Sequence, residues 1–427
     1  MKKLIFAAVM CISGSVFAVL SGSGTEANPY LIQSRADFDE FANPANGGIY
    51  WASGVYTQLM CDIDLAGTTY TQAVIAPDTD NVAGGHQGTK FSGIFQGNEF
   101  TISNLTIDVA DIGSGCIGFF GYIANARISE TKLKIIINLV EDADRIGGLV
   151  GESYGGVFEK CSVVCQVYCE DRLGLTGGIC GRSNGDTFTN SFADSIVMGG
   201  DSSSSLGCFC GFVYGSVIIR CYASGTVSGA DASSWLGGFC GANYAGSMIS
   251  DSYALGTVYG GNSAYKIGGF CGFNIATISN CYSTASVVTG ISAYDYGGFT
   301  GNNFASIVNC YFLETTGPDN GHGTPLDNPN MMTQANFSGW DFSNTDGDAA
   351  DWMMLRENED YPRLAWQTMY PGDIAGLYGV NMADLMEVVN NWLEQGCPTN
   401  CEQADIDNSG TVDLADLSIL AANWMKQ

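Results

Sequence analysis

Asp405-Ile-Asp-Asn-Ser-Gly-Thr-Val-Asp-Leu-Ala-Asp416 sets oxygen-bearing side chains at alternating positions of a twelve-residue stretch. Calcium takes roughly six to eight hard oxygens from a tight loop of that length. Asp405, Asp407 and Ser409 fill ligand positions 1, 3 and 5, Thr411 offers its carbonyl at 7, and Asp413 and Asp416 stand at 9 and 12. Gly410 falls at position 6, where such a loop turns sharply, and Asp rather than Glu closes it. The spacing recurs 32 residues earlier, from Asp373 to Asp384, but Ala375 and Leu377 stand where oxygens belong and Tyr378 where the glycine belongs. One calcium ion is therefore expected, in the second loop, with the first loop degenerate. Behind the loops, Leu385, Val388, Val389 and Trp392 match Leu417, Leu420, Ala421 and Trp424. Both sets have the i, i+3, i+4, i+7 spacing of an amphipathic helix.

Elsewhere the chemistry is thinner. Asp62/Asp64, Asp78/Asp80 and Asp142/Asp144 are carboxylate pairs that a strand turns to one side. Glycoside hydrolysis needs two such groups about 5 to 9 Å apart; in a chain with 44 acids, a solvated acidic face competes with that reading. His86 and His322 are the only histidines, and neither lies in a zinc-ligand spacing. No nucleophile elbow and no phosphate-binding glycine motif is assigned. Only 16 Lys+Arg argue against lyase action on polyuronates, whose acid groups need basic partners. No catalytic residue is assigned. A formal charge of −28 gives no electrostatic footprint for nucleic acid.

The elements around these residues come from one repeat. Gly147-Gly-Leu-Val-Gly151 returns as Gly177-Gly-Ile-Cys-Gly181, Leu206-Gly-Cys-Phe-Cys-Gly211, Gly237-Gly-Phe-Cys-Gly241, Gly268-Gly-Phe-Cys-Gly272 and Gly297-Gly-Phe-Thr-Gly301. Looser copies end at Gly97 and Gly121, so successive closing glycines lie 24, 30, 30, 30, 30, 31 and 29 residues apart. A second anchor follows each, as in Ile218-Ile-Arg-Cys-Tyr222 and Ile278-Ser-Asn-Cys-Tyr282. The unit is rich in Gly, Ser, Thr and aromatic residues and has no helical stripe or leucine-rich signature. It cannot bury its own apolar face, so it must stack on its neighbours as one coil of a parallel β-solenoid. Phe209, Phe239, Phe270 and Phe299 then form an internal column. Cys180, Cys210, Cys240 and Cys271 form a second, and Cys161, Cys221, Cys281 and Cys310 lie in a third. These thiols are expected to be buried and stacked rather than bridged. If the third column points inward, alternation turns Tyr222, Tyr253, Tyr282 and Tyr311 outward, with Phe192 in line. Such a ladder can stack on sugar rings; ring-on-ring packing beneath loops is the alternative.

The paired anchors resemble the GLUG-motif repeats of secreted bacterial proteins. Gly24-Thr-Glu-Ala-Asn-Pro-Tyr-Leu-Ile32, Asp62-Ile-Asp-Leu65, Phe337-Ser-Gly-Trp-Asp-Phe342 and Tyr361-Pro-Arg-Leu364 extend that resemblance over roughly 22–366. It implies a right-handed β-helix at a cell surface or outside the cell, and no agreed chemistry. The two loop–helix copies over 371–427, of EF-hand type but lacking the entering helix, resemble a type I dockerin. That resemblance implies docking on a cohesin-like module of another extracellular protein. Met382-Ala383 and Leu414-Ala415 depart from the Ser/Thr pair common at dockerin recognition positions. A surface-layer tether and a folded cap are the other readings of this module.

Lys2 and Lys3 precede the apolar run Leu4 to Ile12, and Val16-Phe-Ala18 offers small residues for cleavage, which reads as a signal peptide over 1–18. No segment of the mature chain is long enough to cross a membrane as a helix. The expected organisation continues with an N-terminal cap over 19–92, repeats over 93–312, a C-terminal cap and linker over 313–370, and the dockerin-like module over 371–427. Cys397 and Cys401 are close enough in sequence to close a small disulfide loop. The functional expectation is a secreted, non-catalytic scaffold or adhesin that touches glycans or proteins along its rod. The alternative is a glycoside hydrolase or polysaccharide lyase carried on the same solenoid and tethered by the same module.

Overall fold

The computed structural model describes residues 19–79, 86–110, 115–140, 144–170, 172–342, 351–354, 357–367, 380, 382–393, 404–406, 409 and 411–424. The signal-peptide segment, Asp407 and the Cys397/Cys401 pair lie outside the described residues.

A single coil shows how the repeat folds. Ser204–Gly207, Cys210–Tyr214, Val217–Ile219 and Tyr222–Gly229 are its strands, joined by short turns. Each strand pairs in parallel with its counterparts one coil before and one coil after, which builds a six-stranded, a seven-stranded and a 21-stranded sheet. The result is a right-handed parallel β-solenoid with coils of about 30 residues. Register follows the sequence columns: Cys180, Cys210, Cys240, Cys271 and Thr300 are successive partners.

The core repeats with the coils. Phe209, Phe239, Phe270 and Phe299 are fully buried and stack at 4.8, 4.8 and 5.0 Å between ring centroids. That spacing is the interstrand distance, so each ring inherits its position from the backbone ladder. The cysteine columns are buried beside it, and Cys180, Cys210, Cys240, Cys271, Cys281 and Cys310 carry no disulfide. The closing glycines let coils meet backbone to backbone. A Cβ on Gly241 would lie 2.4 Å from the carbonyl carbon of Ser205 and 2.6 Å from the Leu206 nitrogen.

The second anchor has a conformational cause. Asn104, Glu130, Lys160, Asn190, Arg220, Asp251, Asn280 and Asn309 all adopt φ between 48° and 55°. A left-handed residue bends the strand at this corner, and Asn tolerates it best. The bend brings the following small residue, such as Cys221 or Ser252, into the core.

Both ends of the stack are covered. Helix Arg35–Ala42, capped by the Ser34 side chain, sets Phe38 against Phe119 at 6.0 Å and Phe41 against Phe95 at 5.6 Å. At the other end Thr324–Leu326 pairs with Tyr311–Leu313, and the Asn320 amide donates to the carbonyls of Tyr296, Thr300 and Gly301. Such caps shield strand edges that would otherwise recruit another chain. Helices Met382–Asn390 and Leu414–Ala422 form a separate small unit around Val380, Val388, Ala404, Val412 and Leu420. Among the described residues no helix is long and apolar enough to cross a membrane.

Candidate functional site

The C-terminal loop is organised from its acids. Asp405 accepts from the Ser409 amide at 2.9 Å, and Ser409 Oγ donates to the Thr411 carbonyl at 3.1 Å. Asp413 caps the following helix by accepting from the Ala415 amide at 2.7 Å, while Asp416 accepts from the Asp413 amide at 2.8 Å. Asp405 and Asp416, at the first and last loop positions, are 3% and 0% exposed. Asp384, the last position of the first loop, is also 0% exposed. Val380 and Val412, equivalent in the two loops, share one core, and the Leu393 amide donates to the Val412 carbonyl at 2.9 Å. Lys426 is the only basic residue of 371–427, against nine acids. Buried carboxylates in a module so poor in cations fit a bound metal ion chemically. Among the described residues, though, no three His, Cys, Asp or Glu side chains converge as a metal-holding group.

The tyrosine column departs from the expected sugar ladder. Tyr222, Tyr253, Tyr282 and Tyr311 do point out of the coil, but they are 7%, 0%, 2% and 8% exposed. Phe192, Tyr222, Tyr253 and Tyr282 stack on one another at 4.8, 5.0 and 4.9 Å. Met331, Phe337, Trp340, Trp352, Met354 and Leu364 close over them in a second apolar cluster. The covering segment is pinned at the left-handed corners. Trp366 Nε1 donates to the Arg220 carbonyl at 2.8 Å, Trp352 Nε1 to Asp251 Oδ1 at 3.3 Å and Trp340 Nε1 to the Asn309 carbonyl at 2.9 Å. Arg220 also pairs with Asp351 at 2.9 Å. These rings therefore hold the cap and present no face to a glycan.

The carboxylate pairs are mostly engaged in the scaffold. Asp62 accepts from the Thr101 amide and Asp64 from the Ala66 amide and Asn104 side chain, each at 2.8 or 2.9 Å. Asp78 accepts from the Gln87 amide at 2.8 Å, whereas Asp80 and Asp142 lie outside the described residues. His86 stacks on Tyr122 at 4.7 Å, and the His322 amide donates to Asn320. Asp186, buried at a coil corner, accepts from Ser153, Gly156, Ser183 and Asn184. Burial still pushes its carboxyl up to about 6.

Where the six-stranded and seven-stranded sheets adjoin, an aromatic cluster stands that the sequence reading missed. Trp235 and Phe273 stack at 5.1 Å, and Tyr265 and Tyr294 at 5.1 Å. Lys266 Nζ lies 4.4 Å from the Phe273 ring centre and 5.8 Å from that of Tyr265. Phe304 meets Phe273 edge-on at 6.0 Å and is 75% exposed; Tyr294 is 52% exposed. The available signal was positional. Phe212, Ala242, Phe273 and Asn302 each follow a closing glycine, and Trp235 and Lys266 each stand two residues before a Gly-Gly pair.

With this geometry the class is a right-handed parallel β-solenoid containing GLUG repeats. The GLUG motif matches residues 234–259 and 263–288, two consecutive coils. Over 151 residues the chain is 34% identical to a candidate Gly-rich membrane protein of Evansella cellulosilytica, covering 35% of this chain and 16% of that protein. Over 146 residues it is 32% identical to Halomucin of Haloquadratum walsbyi, covering 34% of this chain and 1% of that protein. The chain thus spans only a small part of the curated relatives it matches. A candidate immunoglobulin A1 protease from Bacteroides ovatus aligns at 19% identity over 67% of this chain and 86% of that chain, with a TM-score of 0.35, too low to support an argument.

Proposed function

We propose that the protein is an exported, non-catalytic display scaffold whose solenoid presents a fixed surface outside the cell. Its C-terminal loop–helix module fastens it, in a calcium-dependent way, to a cohesin-like module of another extracellular protein. The observation that carries this reading is the burial of Asp405 and Asp416 at the two ends of one acidic loop. Burying two carboxylates in so small a core costs several kcal/mol unless a cation or dense hydrogen bonding compensates. Asp405, Asp407, Ser409, Thr411, Asp413 and Asp416 would hold the ion, which would supply charge neutralisation and a fixed loop shape. The GLUG coils and the surface-type names of the relatives support an extracellular location.

Titration calorimetry of the full chain with calcium tests the module. One site of roughly micromolar affinity is expected, lost in Asp405→Ala and retained in Asp373→Ala. Release of the chain from whole cells by chelator, with Asp405→Ala found in the medium, tests the attachment. Product release from plant, algal or bacterial polysaccharides by the purified chain would overturn the non-catalytic reading.

A further inference from the structure

We infer that the ridge formed by Trp235, Tyr244, Tyr265, Phe273, Tyr294 and Phe304 binds a neutral polysaccharide. This rests on the display reading above and gives the displayed surface a ligand class. Monomeric proteins seldom leave contiguous apolar area in water without a use, and here rings from successive coils meet where the six-stranded and seven-stranded sheets adjoin. Trp235 stacks on Phe273, Tyr244 lies 6.4 Å from Phe273, and Phe304 closes the far side at 6.0 Å. Ala242, the register partner of Phe273, is 0% exposed, and its small side chain leaves space for the Trp235 ring.

The occupant follows from the chemistry of the ridge. It is built from rings rather than aliphatic chains, and its polar groups are tyrosine hydroxyls, the Lys266 ammonium over the Phe273 ring and the Asn302 amide, which donates to the Asp295 carboxylate at 3.2 Å. A pyranose presents an apolar C–H face to a ring and hydroxyls to such polar atoms, whereas a protein hot spot usually mixes in aliphatic anchors and arginine. Anionic polymers are disfavoured. Lys266 is folded against the Phe273 ring, Arg182 farther along the face is paired with Glu152 at 3.0 Å, and the chain carries a charge of −28. From the Ala242 coil to the Asn302 coil the ridge spans about 10 Å at the interstrand spacing, enough for about two sugar residues and too long for a monosaccharide.

Affinity electrophoresis of the full chain in gels containing hydroxyethyl cellulose, xyloglucan, galactomannan or alginate provides the test. At least one neutral polymer should retard the protein, and alginate should not. Phe304→Ala combined with Tyr294→Ala should weaken retardation about tenfold, equivalent to ~1.4 kcal/mol, with an unchanged melting temperature because both rings are exposed. Tyr259→Ala, exposed on a different sheet, should leave retardation intact. No retardation by any neutral polymer, retardation by alginate alone, or indifference to the ridge substitutions would overturn the assignment. So would self-association or protein binding that the double variant abolishes without any glycan binding. Asp405→Ala should keep full retardation, so failure of the attachment reading is seen separately, and product release in the same gels would report failure of the non-catalytic reading.

Discussion

Replacing Tyr253 by Ala would remove a ring with 0% exposure that lies between Tyr222 and Tyr282 at 5.0 and 4.9 Å and beneath Trp352 at 6.2 Å. Truncating an enclosed aromatic costs about 3–5 kcal/mol. The hydroxyl adds to this, since the Gln367 side chain donates to it at 2.8 Å and would lose a buried partner. Tyr253→Phe keeps the stack and forfeits the hydroxyl's hydrogen bonding with the Gln367 side chain, about 1 kcal/mol. Urea titration followed by tryptophan fluorescence reads the cap through Trp340, Trp352 and Trp366, while circular dichroism reads the coils. At a slope near 2 kcal/mol/M, the Ala variant should lower the fluorescence midpoint by roughly 2 M and the Phe variant by about 0.5 M. The circular dichroism transition should move less, because coils hold one another through nearest-neighbour contacts. An Ala variant with an unchanged fluorescence midpoint would refute the cap. Loss of polysaccharide retention in such a variant would restore the exposed ladder.

Gly241→Val should destabilise by at least ~3 kcal/mol in the same titration, since its Cβ meets the Ser205 and Leu206 backbone, whereas Gly48→Ala, with nothing within 4 Å, should stay near wild type. Stability should fall as pH rises from about 4 to about 6. Folded Asp186 holds its proton to about 6, above its ordinary 3.8, so the native state binds more protons in that window. The loss is bounded at about 3 kcal/mol, and Asp186→Asn should flatten the slope seen in melting temperature against pH. Burial pushes the Cys161 and Cys165 thiols up to about 12. Disulfide-exchange reagents at pH 8 should therefore leave the coil thiols untouched until the chain unfolds; a missing pair after unfolding without reductant would show a bridge in the stack.

Where every coil repeats a residue type, the fold was readable from the chain. The Gly-Gly-Phe-Cys-Gly spacing set the coil length, and Phe239 and Cys240 took the internal places their columns demanded. The outward direction of Tyr222, Tyr253, Tyr282 and Tyr311 was readable too, because alternation along a strand follows from backbone geometry. Their burial was not. It depends on a segment near 331–366 that has no repeat, and on Trp340, Trp352 and Trp366 finding acceptors at corners some 31 to 146 residues away in sequence. The corner residues were legible only in part. Asn190, Asn280 and Asn309 suit a left-handed turn, whereas Lys160 and Arg220 adopt it because the coils on either side impose it. In the C-terminal module, the equivalence of Val380 with Val412 followed from internal symmetry, and both residues lie in one core.

A solenoid separates structural from individual positions in a way a single-core domain does not. An internal column must be filled alike in every coil, because each side chain packs on its own copy one strand-spacing away. An outward column has no such constraint, and its variation is informative. Tyr122, Glu152, Arg182, Phe212, Ala242, Phe273 and Asn302 are successive partners on the seven-stranded sheet, yet they change from an aromatic through two charged residues to Phe, Ala and Phe and then to an amide. Nothing in coil stacking demands that order. The ion pairs of Glu152 with Arg145 and Arg182 hold one stretch, and the rings around Phe273 occupy the next. The neighbouring column changes in step, as Trp235 gives way to Lys266 and then Asp295. The GLUG match falls on the coils that carry most of these rings. A regular scaffold beneath an irregular outer column is the arrangement expected when the coils supply rigidity and the surface supplies specificity.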